Sequence, residues 1–290
     1  MGLDFWRMAA LAVATMVAGV GLHFACKDEP PTPPTPPERP QAVTNLDPLP
    51  DWKHLVSDTP IRLIHLGQTH WMPYIEREPP GLKKARTNGV LRSQEHLIQR
   101  LRATPRGTLL YVEGFVYPLN EQVRQAIQDG GGDEEIKNRI IKAWNTDSNQ
   151  VAKVQAGNAL SAWRQLREEF PEGWSDEMLK QGNLTYSQAT TLARLGAARL
   201  AWVRGEFDIL PSESVNGVLI HTAGAARDKR YYIIDYREAD TLATVLKDMN
   251  TTKAKEALII YGSRHDFTQY AERGLKVEFE DLSSRVPVQH

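Results

Sequence analysis

Ile61-Arg62-Leu63-Ile64-His65-Leu66, running into Gly67-Gln68-Thr69-His70, is the stretch that sets the fold class. Its apolar residues are nearly continuous rather than alternating, the pattern of a strand covered on both faces, and a glycine-led polar turn ends it. Four further short runs are likewise rich in apolar residues and bounded by glycine or polar residues, most of them without alternation: Thr108 to Val112, Tyr231 to Asp235, Ala257 to Tyr261 and Leu275 to Phe279. Strands of this kind build the central, mostly parallel sheet of an α/β domain flanked by helices.

Helical spacing fills the intervals. Val90, Leu91, Leu97, Ile98 and Leu101 keep one apolar face until Pro105 stops the run, and Val151 to Phe170, Ser187 to Trp202 and Ala239 to Met249 behave alike. The segment from about Asn120 to Arg204 therefore reads as a helical insertion or cap between the second and third strands.

Upstream, Met8 to Cys26 carries no charged residue across nineteen positions. At about 1.5 Å per residue this spans close to the roughly 30 Å core of a bilayer. Arg7 before it favours an exported C-terminal part. Three readings stand: an uncleaved transmembrane signal anchor, a signal peptide cut near Gly19-Val20-Gly21, or a lipoprotein signal ending at Cys26. Residues 27–50 follow as a Pro-rich linker, with Pro30 to Pro37 too poor in amide donors for helix or sheet. Polyproline II at about 3.1 Å per residue would stand the domain, residues 51–290, off the membrane. The expected partners are thus the membrane, through the N-terminal segment, and a small-molecule, peptide or haem ligand. With 35 basic and 36 acidic residues the chain offers no field for nucleic acid. Cys26 is the only cysteine, so the domain has no disulfide and no cysteine metal site.

Four of the five expected strands end in polar clusters: Gly67-Gln68-Thr69-His70, Glu113-Gly114, Tyr236-Arg237-Glu238 and Gly262-Ser263-Arg264-His265-Asp266. Parallel neighbours would bring these C-terminal ends to one edge, where open α/β sheets bind ligands. His70, Glu113, Arg237, Glu238 and His265 are the expected catalytic set, and Gly67, Gln68 and Gly262 are expected against the ligand. Two chemistries fit. A divalent metal could be held by His70, Glu113 and His265. Without metal, one histidine could serve as base, tuned by Glu113, with Arg237 on a developing oxyanion.

The succession Leu66-Gly67-Gln68-Thr69-His70, Gln94, Tyr111-Val112-Glu113-Gly114, Arg237-Glu238 and Tyr261-Gly262-Ser263-Arg264-His265 resembles the Tiki, TraB and erythromycin-esterase superfamily, including the ChaN-like haem-binding lipoproteins. The resemblance implies hydrolysis, metal-dependent for peptide bonds in the Tiki branch and of esters in another, or haem binding without turnover in the ChaN branch. An exported, tethered domain suits the Tiki and ChaN branches. Gln68 stands where several relatives carry Glu, which removes a negative charge and a base from that position.

Other residues read as secondary. His65, inside the first strand, is expected as a packed core histidine. His221 either lines the site or ends another strand. Glu206 and Glu213 are acidic site candidates, with solvated loop charges as the alternative. Trp71, Met72, Pro73 and Tyr74 either shape an apolar pocket beside His70 or pack beneath the cap. Gly130-Gly131-Gly132 lacks the Lys-Ser or Lys-Thr of a phosphate cradle, and no G-x-S-x-G elbow is present.

Overall fold

The computed structural model describes residues 49–56, 60–175, 178, 184–222 and 230–283, without the side chains of residues 73, 219–222 and 230–233. The expected anchor, Cys26 and the proline run lie outside the described residues. No described helix is long and apolar enough to cross a membrane.

Five strands form one all-parallel sheet: β1 (Ile61–Gln68), β2 (Leu109–Val112), β3 (Leu210–Pro211), β4 (Glu256–Gly262) and β5 (Leu275–Asp281), in the order β3-β2-β4-β1-β5. Alternate residues of each strand face opposite helical layers. Ile64, Leu66, Leu110, Val112, Leu258 and Ile260 pack under α1 (Pro80–Arg102), α2 (Glu121–Gln128), α3 (Asp133–Ala143), α4 (Gln150–Glu169) and α5 (Tyr186–Val203). Leu63, Tyr111, Ala257, Ile259 and Tyr261 pack against α7 (Arg230–Thr252), which follows the short α6 (Val215–Thr222). β1, β2 and β4 are covered on both faces, which is why they read as nearly continuous apolar runs, whereas the edge strand β5 alternates buried and more exposed positions.

The helical insertion lies where it was expected, between β2 and β3. Local chemistry starts its helices: Asn120 and Asn149 accept from Val123 and Ala152 amides, and Thr185 with Gln188 closes a capping box.

One strand expectation is corrected. Tyr231 to Asp235 belongs to helix α7, not to the sheet. The buried residues Tyr236, Ala239, Leu242, Val245, Leu246 and Met249 continue from it at intervals of three and four with no glycine or proline between. The aromatic and β-branched run is the first turns of that helix, and tertiary burial of one face overrides its β preference. The vacant sheet position goes to Leu210–Pro211, paired with Tyr111 and Val112. Two residues carry no periodicity, and proline suits an edge strand because one side needs no donor. Likewise, Gly217 to His221 forms part of α6 rather than the end of a strand.

Candidate active site

Neighbouring parallel strands β2, β4 and β1 end together, so His70, Glu113 and the Gly262–His265 turn share one edge. The Glu113 amide donates to Ile260 O at 2.9 Å and the Ser263 amide to Gln68 O at 3.1 Å, which extends the ladder into the turns. Arg237 and Glu238 reach the same edge from the second turn of α7 rather than from a strand end.

Glu113 is the centre. Its Oε2 accepts from His70 Nε2 and from the Gly262 amide, both at 2.9 Å, while Oε1 faces Arg237 Nη1 at 3.1 Å. His265 Nε2 stands 3.7 Å from Oε1, a charge contact rather than a hydrogen bond. Burial alone would raise the carboxyl's pKa, but the Arg237 guanidinium and the flanking imidazoles hold it well below the usual carboxylate range. Glu113 is therefore an ionised acceptor, and the shared proton belongs to His70 Nε2. The Nδ1 lone pair of His70 is left for chemistry, on a side chain that is 39% exposed.

His265 has the opposite character. Its Nδ1–H donates to Glu238 Oε1 at 3.0 Å. Burial opposes its charge, yet Glu113 and Glu238 outweigh burial and push the imidazole up to about 9. Glu238 is itself held by the Asp266 amide at 3.1 Å and Gln269 Nε2 at 2.9 Å. The two imidazoles are thus like groups separated by their surroundings: His70 is half-exposed with Nδ1 open, and His265 is held between two carboxylates that favour its imidazolium.

Beneath them, Glu213 Oε1 accepts from Arg237 Nη2 at 2.5 Å, Tyr261 OH at 2.9 Å and the Gly114 amide at 2.9 Å. Glu213 follows β3, so the fourth strand end does feed the site, through a residue weighed above only as an acidic candidate. Glu206 instead pairs with Arg102 at 2.9 Å. There it lines a cleft of about 750 Å³ at the start of β2, away from the catalytic edge.

The glycines act by proximity. A Cβ on Gly262 would stand 3.1 Å from His70 Nε2, and one on Gly67 would stand 2.6 Å from the Phe279 ring. Gln68 does not join the charge cluster. It points to the α1 side, where Gln94 Nε2 donates to its Oε1 at 3.2 Å and to Thr69 O at 3.1 Å. Ser93 Oγ accepts the Thr69 amide at 3.0 Å, so two neighbours on α1 clamp the turn that carries His70. His65 is fully buried between Phe267 and Phe279, with ring centroids at 5.1 and 4.9 Å. Desolvation pushes its pKa down to about 4, so it is a neutral core residue. Trp71 packs on the core with Arg194 4.3 Å above its ring, whereas Met72 and Tyr74 are exposed.

A metal on His70, Glu113 and His265 fits this arrangement poorly. His265 would have to give up its proton, and both Glu113 oxygens already face donors, one of them the Arg237 cation. Among the described residues no group of three or more His, Cys, Asp or Glu side chains is disposed to hold a metal ion. No family model, curated protein or solved structure matches the chain.

Tyr261, Ser212 and Thr241 were not singled out from sequence. Tyr261 looks like a strand core residue, and its hydroxyl meets Glu213, Thr241 Oγ1 at 2.6 Å and Ser212 Oγ at 3.4 Å only once β2, β4 and α7 are assembled.

Proposed function

We propose that this protein is a hydrolase of ester- or amide-type acyl bonds working by acid–base chemistry without a metal. The observation that carries the proposal is the arrangement around Glu113: His70 bonds one carboxylate oxygen through Nε2 and presents its Nδ1, and His265, favoured as the imidazolium, has its Nε2 3.7 Å from the other carboxylate oxygen. In this reading His70 Nδ1 takes a proton from water as the oxygen adds to the acyl carbon. The oxyanion forms beside His265 and Arg237, whose buried Nε–H has no partner among the described residues. Collapse breaks the acyl bond, and the leaving group receives a proton from His265. Glu113 and Glu238 orient the two rings, and Glu213 holds Arg237 in place. The resemblance to the erythromycin-esterase branch supports the same chemistry. We also propose that the domain is exported and tethered through Met8 to Cys26, a reading supported by that segment's length and lack of charge.

The test is turnover of nitrophenyl esters and of a peptide library by the wild type, His70→Ala and His265→Ala, with and without chelator. Each substitution should lower kcat by about a hundredfold or more, and chelation should leave the wild type unchanged. Turnover that requires an added divalent ion would refute the metal-free route. Turnover untouched by either substitution would refute the site.

A further inference from the structure

Helix α5 is broken in the middle. Gly196 has φ +74° and ψ 159°, a conformation outside the helix, and the Ala197 amide donates to Gln94 Oε1 at 2.7 Å. The break is therefore tied through Gln94 to the Thr69 carbonyl and to the turn bearing His70. Before the break, Arg194 bonds Glu76 at 2.8 Å and covers Trp71, the residue after His70. After it, Arg199 lies with its guanidinium 5.1 Å from the Phe115 ring, two residues beyond Glu113. The helix thus straddles the two turns that supply the base and its carboxylate.

Arg199 is anomalous there. Among the described residues its one hydrogen bond runs to Leu195 O at 3.5 Å, the weak limit of such contacts, and no carboxylate pairs with it. Arg194, Arg237, Arg124 and Arg100 in the same fold all have carboxylate partners. A guanidinium set among apolar groups without a counter-ion is costly, and its forked donors suit a carboxylate or phosphate brought from outside. Burial alone pushes its pKa down to about 10, so it stays cationic at neutral pH. The side chain is partly buried rather than sealed in the core.

We propose that Arg199 is a specificity-determining residue that binds an anionic group, carboxylate or phosphate, on the substrate hydrolysed beside His70. The proposal rests on the hydrolase reading above for what happens to that substrate, but not for the binding itself. Two measurements separate them. The first compares nitrophenyl acetate with the nitrophenyl hemiester of glutarate, which adds a carboxylate at the far end. The wild type should favour the hemiester. Arg199→Gln should raise its KM roughly tenfold to a hundredfold while leaving the acetate ester unchanged, with Arg199→Lys between them. An unaltered preference in Arg199→Gln overturns the proposal. The second follows the Arg199 Nε–Hε resonance of the full chain during titration with glutarate and with inorganic phosphate, and the ion that moves it identifies the group recognised. If neither moves it, the proposal is overturned whatever the esters do. If it moves but no ester is turned over, the hydrolase reading fails and the anion site stands.

Discussion

Replacing Glu238 by Gln tests the division of protons most directly. His265 is 11% exposed, and its imidazole is raised from 6.5 to about 9 by Glu113 and Glu238 acting against burial. At 1.36 kcal/mol per unit, that rise corresponds to about 3 kcal/mol of folding stability held by the protonated form. A raised pKa has a definite sign. The stability is fully present below about pH 6.5, declines as pH rises, and is gone above about 9. Glu238 accepts the Nδ1 hydrogen bond at 3.0 Å, while Glu113, the larger of the two raising influences, stays in place, so Glu238→Gln should lower the midpoint part of the way toward its ordinary value. Urea unfolding of both proteins across this range should show the wild type ahead by about 1 kcal/mol at the acidic end. The curves should converge above about pH 9. Comparing the two proteins at each pH cancels the lysine and tyrosine titrations they share. Proton resonances of the His265 ring give the midpoint independently. A wild-type midpoint at or below that of free imidazole would refute the assignment of His265 as the cation, and with it the acid–base pair.

Other perturbations separate site geometry from stability. Gly262→Ala places a methyl 3.1 Å from His70 Nε2 and 3.7 Å from Glu113 Oε2, and should cut kcat by about tenfold or more while moving the thermal midpoint little. Gly67→Ala meets the Phe279 ring at 2.6 Å and should cost about 1–3 kcal/mol in chemical denaturation. Gln94→Leu strands the Ala197 amide and unclamps the Thr69 carbonyl, so it should lose about 2–4 kcal/mol and shift the His70 ring resonances. Arg199→Met removes an unpaired cation from an apolar setting and should raise the thermal midpoint, equivalent to about 1 kcal/mol, whereas a lower midpoint would mark Arg199 as structural.

The inner sheet was legible because strands covered on both faces must be largely apolar, and β1, β2 and β4 are, while the edge strand β5 alternates apolar with charged residues. His70, Glu113 and His265 were legible for a related reason: polar turns after such strands stand out, and parallel neighbours bring their ends to one edge. Arg237 and Glu238 reach the expected edge, but from a helix rather than from the expected strand. A helix and a strand can share the same five apolar residues, and only the buried face of α7 decides between them. Glu213 was weighed but not placed, because a two-residue edge strand leaves no pattern.

Sequence alone therefore determined the α/β class, the helical insertion and three of the strand-end residues that meet, since these follow from hydrophobic periodicity and its interruptions. Tertiary structure alone decided that Glu113 is shared by His70 and Arg237, that His265 lies between two carboxylates, that Gln68 serves the clamp on the His70 turn, and that Arg199 has no counter-ion among the described residues. Protonation, charge pairing and clamping depend on distances of about 3 Å between residues far apart in the chain. No local pattern encodes such distances.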